Sequence, residues 1–349
     1  MRIVHILIGA AILGALAWTG WWVALARGQE AALTAWFDDR ASAGWQAEHD
    51  GIGLTGFPLR LEREITGIRL ADPGTGWAWT APWLRFESAT FSPNRLEVTW
   101  PGAQSLAVPG ERADITSSAM AATLELEPDS ALGLIHASLE VAGLDIRARP
   151  GPGSGSGPGS GSGWTARAGS VVADIAERVN DDGYTITFRA ERVILPEPLM
   201  ARIDPTGLAG REVERMTFDG AAVFDTPLDR HLIEDGRLAL KAVTIRRASF
   251  QWGRMRLEAK GAIEIDDRGY PDGKIKLTAR HWREIIVLAR RSGAIGADMA
   301  GALTTALELI ALLGGNRDEL DATLKFRDGE VWIGPLSIGR AWRLAPPRG

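Results

Sequence analysis

Every odd position from Met255 to Ile265 is apolar or glycine, while Arg254, Arg256, Glu258, Lys260 and Glu264 stand beside or between them. Side chains along a strand point alternately to its two faces, so this period of two fixes a strand with one packed face and one wet face. Ile275, Leu277 and Ala279 repeat the pattern against Lys274, Lys276, Thr278 and Arg280. The turn formers of Asp266–Gly273 lie between the two runs, which therefore read as an antiparallel hairpin. Similar alternation runs through Leu59–Leu70, Ala122–Leu126 and Met216–Phe224, and Asp-Gly pairs beginning at residues 50, 182, 219, 235, 272 and 328 punctuate the chain. The expected fold is β-dominated α+β, a long curved antiparallel sheet of sequential strands.

Two helices interrupt the strands late. Trp282, Ile285, Ile286 and Ala289 share one helical face opposite Arg283, Glu284, Arg290 and Arg291, which predicts a helix near 282–292. Residues 295–313 predict a second, apolar except for a stripe of Asp298, Thr305 and Glu308. Its carboxylates make it a poor membrane span, so it is expected to pack, with the first helix, on the apolar face of the sheet. Glu30–Arg40 predicts a stalk helix near the start.

Ahead of that stalk, Ile3–Ala26 is 24 positions without a formal charge. As a helix it rises about 36 Å at ~1.5 Å per residue, enough for a hydrocarbon core of roughly 30 Å, whereas a signal-peptide core needs only ~7–15 residues. Residues 1–27 therefore read as a membrane anchor. Ala24 and Ala26 supply an A-x-A pattern, which keeps a cleaved signal as the alternative. Arg2 and the amino terminus on one side, with Glu30, Asp38 and Asp39 soon after Arg27 on the other, favour an inside amino terminus. The expected location is the inner membrane, single-pass, with the bulk periplasmic. Trp18, Trp21 and Trp22, three of fourteen tryptophans, fall where indoles prefer the membrane interface.

The Gly/Ser/Pro run 150–163 cannot bury enough apolar area to offset its ordering entropy. It divides a first β-rich lobe, 28–149, from a second, 164–349, either as a linker or as a long loop within one sheet. A net charge of −5 with interspersed signs gives no basic stripe and argues against nucleic acid. With no cysteine, disulfides and thiolate chemistry are excluded.

Gly51-Ile52-Gly53-Leu54-Thr55-Gly56 matches a dinucleotide fingerprint by count, but an alternating strand pattern follows at Leu59–Glu62 where a helix is required. The histidines at 5, 49, 136, 231 and 281 show no i,i+3 or i,i+4 pairing, so no metal centre is expected. Adjacent carboxylates at 38–39, 181–182 and 266–267 point apart along a strand or turn and read as solvated. No cofactor and no catalytic residue is nominated, and the chain is read as a non-enzyme. Trp77 and Trp79 share a strand face and, with Trp83, form either a stacking platform for a sugar or acyl chain or part of a core.

The anchor, Gly56–Leu61, the stretch from Asp72-Pro73 through Trp77-Ala78-Trp79 to Ala81-Pro82, Tyr270–Gly273, and Asp328-Gly329 to Gly334-Pro335-Leu336 together resemble bacterial domain-of-unknown-function family 2125. The likeness covers nearly the whole chain after the anchor and implies no activity. More loosely, the layout looks like that of AsmA-type envelope proteins, which implies an anchor followed by a curved sheet with an apolar groove. The expected function is binding of a lipid or other amphiphile along such a groove, with Met255, Leu257, Ile263, Ile265 and the Trp77, Trp79 and Trp83 platform as candidate contacts. The alternative is an envelope scaffold or assembly factor with a protein partner.

Overall fold

The computed structural model describes residues 2–151, 163–178, 183–229, 239–293, 295–314 and 318–345, without the side chains of 2–11, 309–314 and 336. Most of the expected 150–163 loop, Asp181, Asp182 and His231 lie outside the described residues. The described chain is dominated by antiparallel strands and divides into two compact units. The first comprises residues 1–126 and 146–163, the second 127–145 and 164–349. Glu127–Asp145 thus groups with the second unit, not with the lobe expected over 28–149.

The first unit opens with helix α1 (Arg2–Ser42), followed by β1 (Gln46–Glu48), β2 (Gly51–Thr55), β3 (Arg60–Asp72), β4 (Trp77–Ala89), β5 (Ser92–Thr99), β6 (Ala103–Val108), β7 (Glu111–Thr116) and β8 (Ala119–Leu126). The order is not purely sequential. One end of β4 pairs with β5 and the other with β6, and β5 pairs with β8. Trp100-Pro101-Gly102 makes the break, because proline donates no ladder hydrogen bond. Phe37 of α1 is buried on Ile65 and Ile68 of β3, with Leu33, Leu70, Trp79, Leu84 and Phe86 around them. Ile65 and Ile68 are three apart yet share this core, because the strand is irregular at Gly67, which adopts φ +61° where a Cβ would collide with the Asp50 carboxylate.

Arg63, also on β3, is buried and donates to the carbonyl of Ala26 in α1, with Glu30 at 3.7 Å. Burial holds its pKa below the ordinary arginine value, against the opposing pull of Glu30.

Strand β9 (Leu134–Pro150) contributes residues to both units. The second unit continues with β10 (Trp164–Glu177), β11 (Gly183–Ile194), helix α2 (Glu197–Ile203), β12 (Glu212–Phe224), β13 (Leu240–Trp252), β14 (Met255–Ile265) and β15 (Pro271–Arg280). Helices α3 (Trp282–Ser292) and α4 (Ala297–Gly314) follow, then β16 (Glu319–Arg327), β17 (Glu330–Ile333) and β18 (Leu336–Arg340). From β10 to β18 each strand pairs antiparallel with the next, so sequence order and spatial order agree. Helices α3 and α4 pack Trp282, Ile286, Ala300, Ala306 and Leu307 against Ile263, Ile265, Ala279, Leu320, Ala322 and Phe326 of the sheet.

Candidate functional site

The register of the strands in the second unit aligns their apolar positions in cross-strand rows. Ala173, Phe188, Phe218, Ala248, Ala259 and Leu277 stand opposite one another from β10 to β15. Beside them Ile175, Ile186, Gly220, Ile245, Gly261 and Ile275 form a second row. Neither row contains a polar side chain. The alignment depends on a bulge in β13, where Arg246 and Arg247 together oppose Lys260. The extra residue returns Ile245 and Ala248, three apart in sequence, to one face. Both arginines then reach carboxylates, Arg246 Nε to Asp219 Oδ1 at 2.9 Å and Arg247 to Glu258 at 3.1 Å. Gly220 leaves room for the Phe218 ring, whose Cζ would lie 2.7 Å from a Cβ there.

The chain covers this apolar face unevenly. Near one end of the strands α2 and α3 bring Leu199, Met200, Ile203, Ile285 and Leu288 onto Val213, Met216, Phe250, Trp252 and Met255. Over β14 to β18 the cover is α3 and α4, which leaves Ala259 of β14 and Leu277 of β15 outside the packed cluster. Ala173, Ile175, Ile186, Phe188, Phe218, Ile245 and Ala248 belong to neither cluster, and each stays half-buried among the described residues. The result is a strip of apolar surface bounded by two helix-covered cores. The small Ala248 and Ala259 lie between Phe218 and Leu277 in its row and make the middle of that row shallow. The opposite face is wet, with Thr217 and Ser249 hydroxyls 2.6 Å apart and Arg215 on Glu191 at 3.1 Å.

Of the positions singled out from the sequence, Met255 is fully buried, Ile263 and Ile265 lie under α3 and α4, and Leu257 borders the same core. They lie on the apolar face but in its covered part. The open row crosses their strand only at Ala259 and runs from there to β10, and its signal is weaker because the Arg246-Arg247 bulge breaks the alternation.

Trp79 packs in the core of the first unit and donates its indole N–H to Gln104 Oε1 at 2.8 Å. Trp77 meets Trp45 edge-to-face at 5.1 Å, and Arg85 lies 5.3 Å from the Trp83 ring centroid. These rings are engaged with their own chain, each with a different partner.

The indoles of Trp18, Trp21 and Trp22 donate to the carbonyls of Pro58, Thr90 and Arg60 at 2.9, 3.2 and 2.8 Å. Among the described residues no helix is long and apolar enough to cross a membrane. Residues 3–11 of the expected anchor have side chains outside those described.

His136 and Asp174 meet at 2.7 Å in the second unit, both partly exposed. Among the described residues no group of three or more His, Asp or Glu is placed to hold a metal ion. Asp204, after α2, is a buried carboxylate with a structural task, accepting N–H bonds from Leu208 at 2.9 Å and Ala209 at 2.8 Å.

Residues 22–341 match the model of a family described as an uncharacterized protein conserved in bacteria, DUF2125. No curated protein matches the chain.

Proposed function

The chain belongs to the DUF2125 family, and we propose that it is a non-catalytic, membrane-anchored envelope protein that binds an acyl chain or similar amphiphile on the open strip of its second unit. The observation that carries this reading is the row Ala173, Phe188, Phe218, Ala248, Ala259 and Leu277, apolar throughout and only half-buried. A contiguous apolar patch on a folded surface marks an interaction site. The strip offers no side-chain donor or acceptor, so it selects for hydrocarbon and not for a sugar or a peptide.

Length supports one chain as the ligand. Five inter-strand steps of ~4.8 Å give about 24 Å. That exceeds the acyl depth of one leaflet, half of a hydrocarbon core of roughly 30 Å, and falls short of the whole core. In this reading Ile3–Ala26 spans the inner membrane with its amino terminus inside, and the bulk of the chain beyond it is periplasmic.

The test is photo-crosslinking in cells, with benzoylphenylalanine replacing Phe218 on the open strip or Thr217 on the wet face. A lipid adduct from position 218 and none from 217, read by mass spectrometry of the purified full chain, is the expected result. Protein crosslinks from 218 without lipid would overturn lipid binding and favour an envelope scaffold.

A further inference from the structure

Helix α1 and two loops of the first unit meet at one end of the β3–β4 hairpin. The loops are Gly56–Leu59, entering β3, and Thr90-Phe91, leaving β4. Thr90 is fully buried and ties them together, its N–H donating to Leu59 O at 3.0 Å and its hydroxyl to Pro58 O at 3.2 Å. Gly56 makes the first turn with φ +97°, where a Cβ would stand 2.8 Å from the Arg60 carbonyl. Three carbonyls of this junction, those of Pro58, Thr90 and Arg60, are the ones that accept the indole protons of α1.

With its polar backbone satisfied in this way, the junction turns apolar side chains outward. Phe57 is 55% exposed, Leu59 60% and Phe91 74%. On α1 itself Ile12, Leu13, Leu16 and Trp21 are also exposed. The loop residues therefore continue, on the body of the first unit, the apolar surface of the uncharged run Ile3–Ala26. Two features favour a bilayer as the occupant: carbonyls capped by indole N–H groups can leave water at low cost, and Phe and Leu side chains, like those of interfacial helices, bury at the boundary of headgroups and acyl chains. Arg60, exposed just beyond Leu59 and paired with Glu87 at 2.5 Å, marks where charge resumes.

We infer that Phe57, Leu59 and Phe91 form a second membrane contact, inserting into the bilayer interface beside α1. The inference rests on the reading of Ile3–Ala26 as an anchor. It adds that the first unit is seated on the membrane and not merely tethered to it, which fixes the height of the β3–β4 hairpin above the lipid.

The absence of native cysteine makes the test direct. Full-length chains carrying Phe57→Cys, Phe91→Cys, Leu13→Cys or Thr75→Cys are spin-labelled in vesicles of phosphatidylethanolamine and phosphatidylglycerol. Collision of each label with oxygen and with a water-soluble nickel chelate is then measured. Thr75 lies in the turn at the far end of the 13-residue strands β3 and β4, about 40 Å away at ~3.3 Å per residue. The expected result is oxygen-dominated collision at positions 13, 57 and 91 and nickel-dominated collision at 75. Labels at 57 and 91 as water-accessible as the label at 75, with position 13 in lipid, would overturn the second contact and leave the anchor standing. Lipid exposure at 57 and 91 with water exposure at 13 would support the contact and remove the anchor. Water exposure at all four positions would overturn both.

Discussion

Asp204 shows how much one buried side chain can hold. Burial raises its pKa, but the amide N–H groups of Ala209 and Leu208, the Thr206 hydroxyl and the charge of Arg291 together lower it below the ordinary carboxylate value. Because the folded pKa lies below the unfolded one, the stabilisation is present in full above about pH 4 and is lost as pH falls through the folded value. Asp204→Ala is expected to cost about 1.5–3 kcal/mol at pH 7, the range for hydrogen bonds to a charged group. The part of the deficit that depends on the charged carboxylate is lost in strong acid, so the deficit is smaller there. Urea unfolding of the variant at pH 7 and pH 3 checks both statements, and an equal deficit at both values would contradict the assignment. None of this is legible in the sequence. The amides that bind the carboxylate are backbone groups, and backbone leaves no residue signature.

At the scale of elements the strands and late helices are legible in the sequence, for a physical reason. A strand with one wet face must alternate, and Met255–Ile265 and Ile275–Ala279 do so because Arg256, Glu258, Lys260, Lys274 and Lys276 are solvated on one side. Irregularities were not legible. The Arg246-Arg247 bulge is defined by what the neighbouring strand lacks, and the positive φ of Gly67 by the Asp50 carboxylate packed against it, and no single segment records either. Which part of the apolar face the helices cover also depends on contacts distant in sequence, and so the alternation alone nominates Ile263, which is covered, and not Phe218, which is half-buried. The two now differ in a measurable way. Ile263→Glu places an unpaired charge beneath α3 and α4 and is expected to cost at least about 3 kcal/mol, whereas Phe218→Glu can turn its carboxylate to water and should cost about 1 kcal/mol or less. Thermal melts of the two variants decide whether the strip is uncovered. Equal large losses would mean that Phe218 is core.

For the whole molecule, the organisation of the chain matters more than any single contact. The Gly/Ser/Pro run suggested a cut between two consecutive lobes, but each unit is assembled from two separate stretches, and the second owns residues 127–145. A fragment beginning at Trp164 lacks the β9 segment that pairs with β10 and is expected to aggregate, while a fragment beginning at Glu127 retains it. Comparison of their soluble yield and cooperative melting is the check, and a well-folded Trp164–Gly349 fragment would refute the discontinuous assignment. The strand β9 also sets a timetable. After residue 145 the ribosome still has about 200 residues to make before residue 349 (349 − 145 = 204), which at roughly 5–20 residues per second takes about 10–40 s. For that interval residues 127–145 belong to a unit whose last strands have not been synthesised, so the nascent chain carries an incomplete sheet until β18 has emerged.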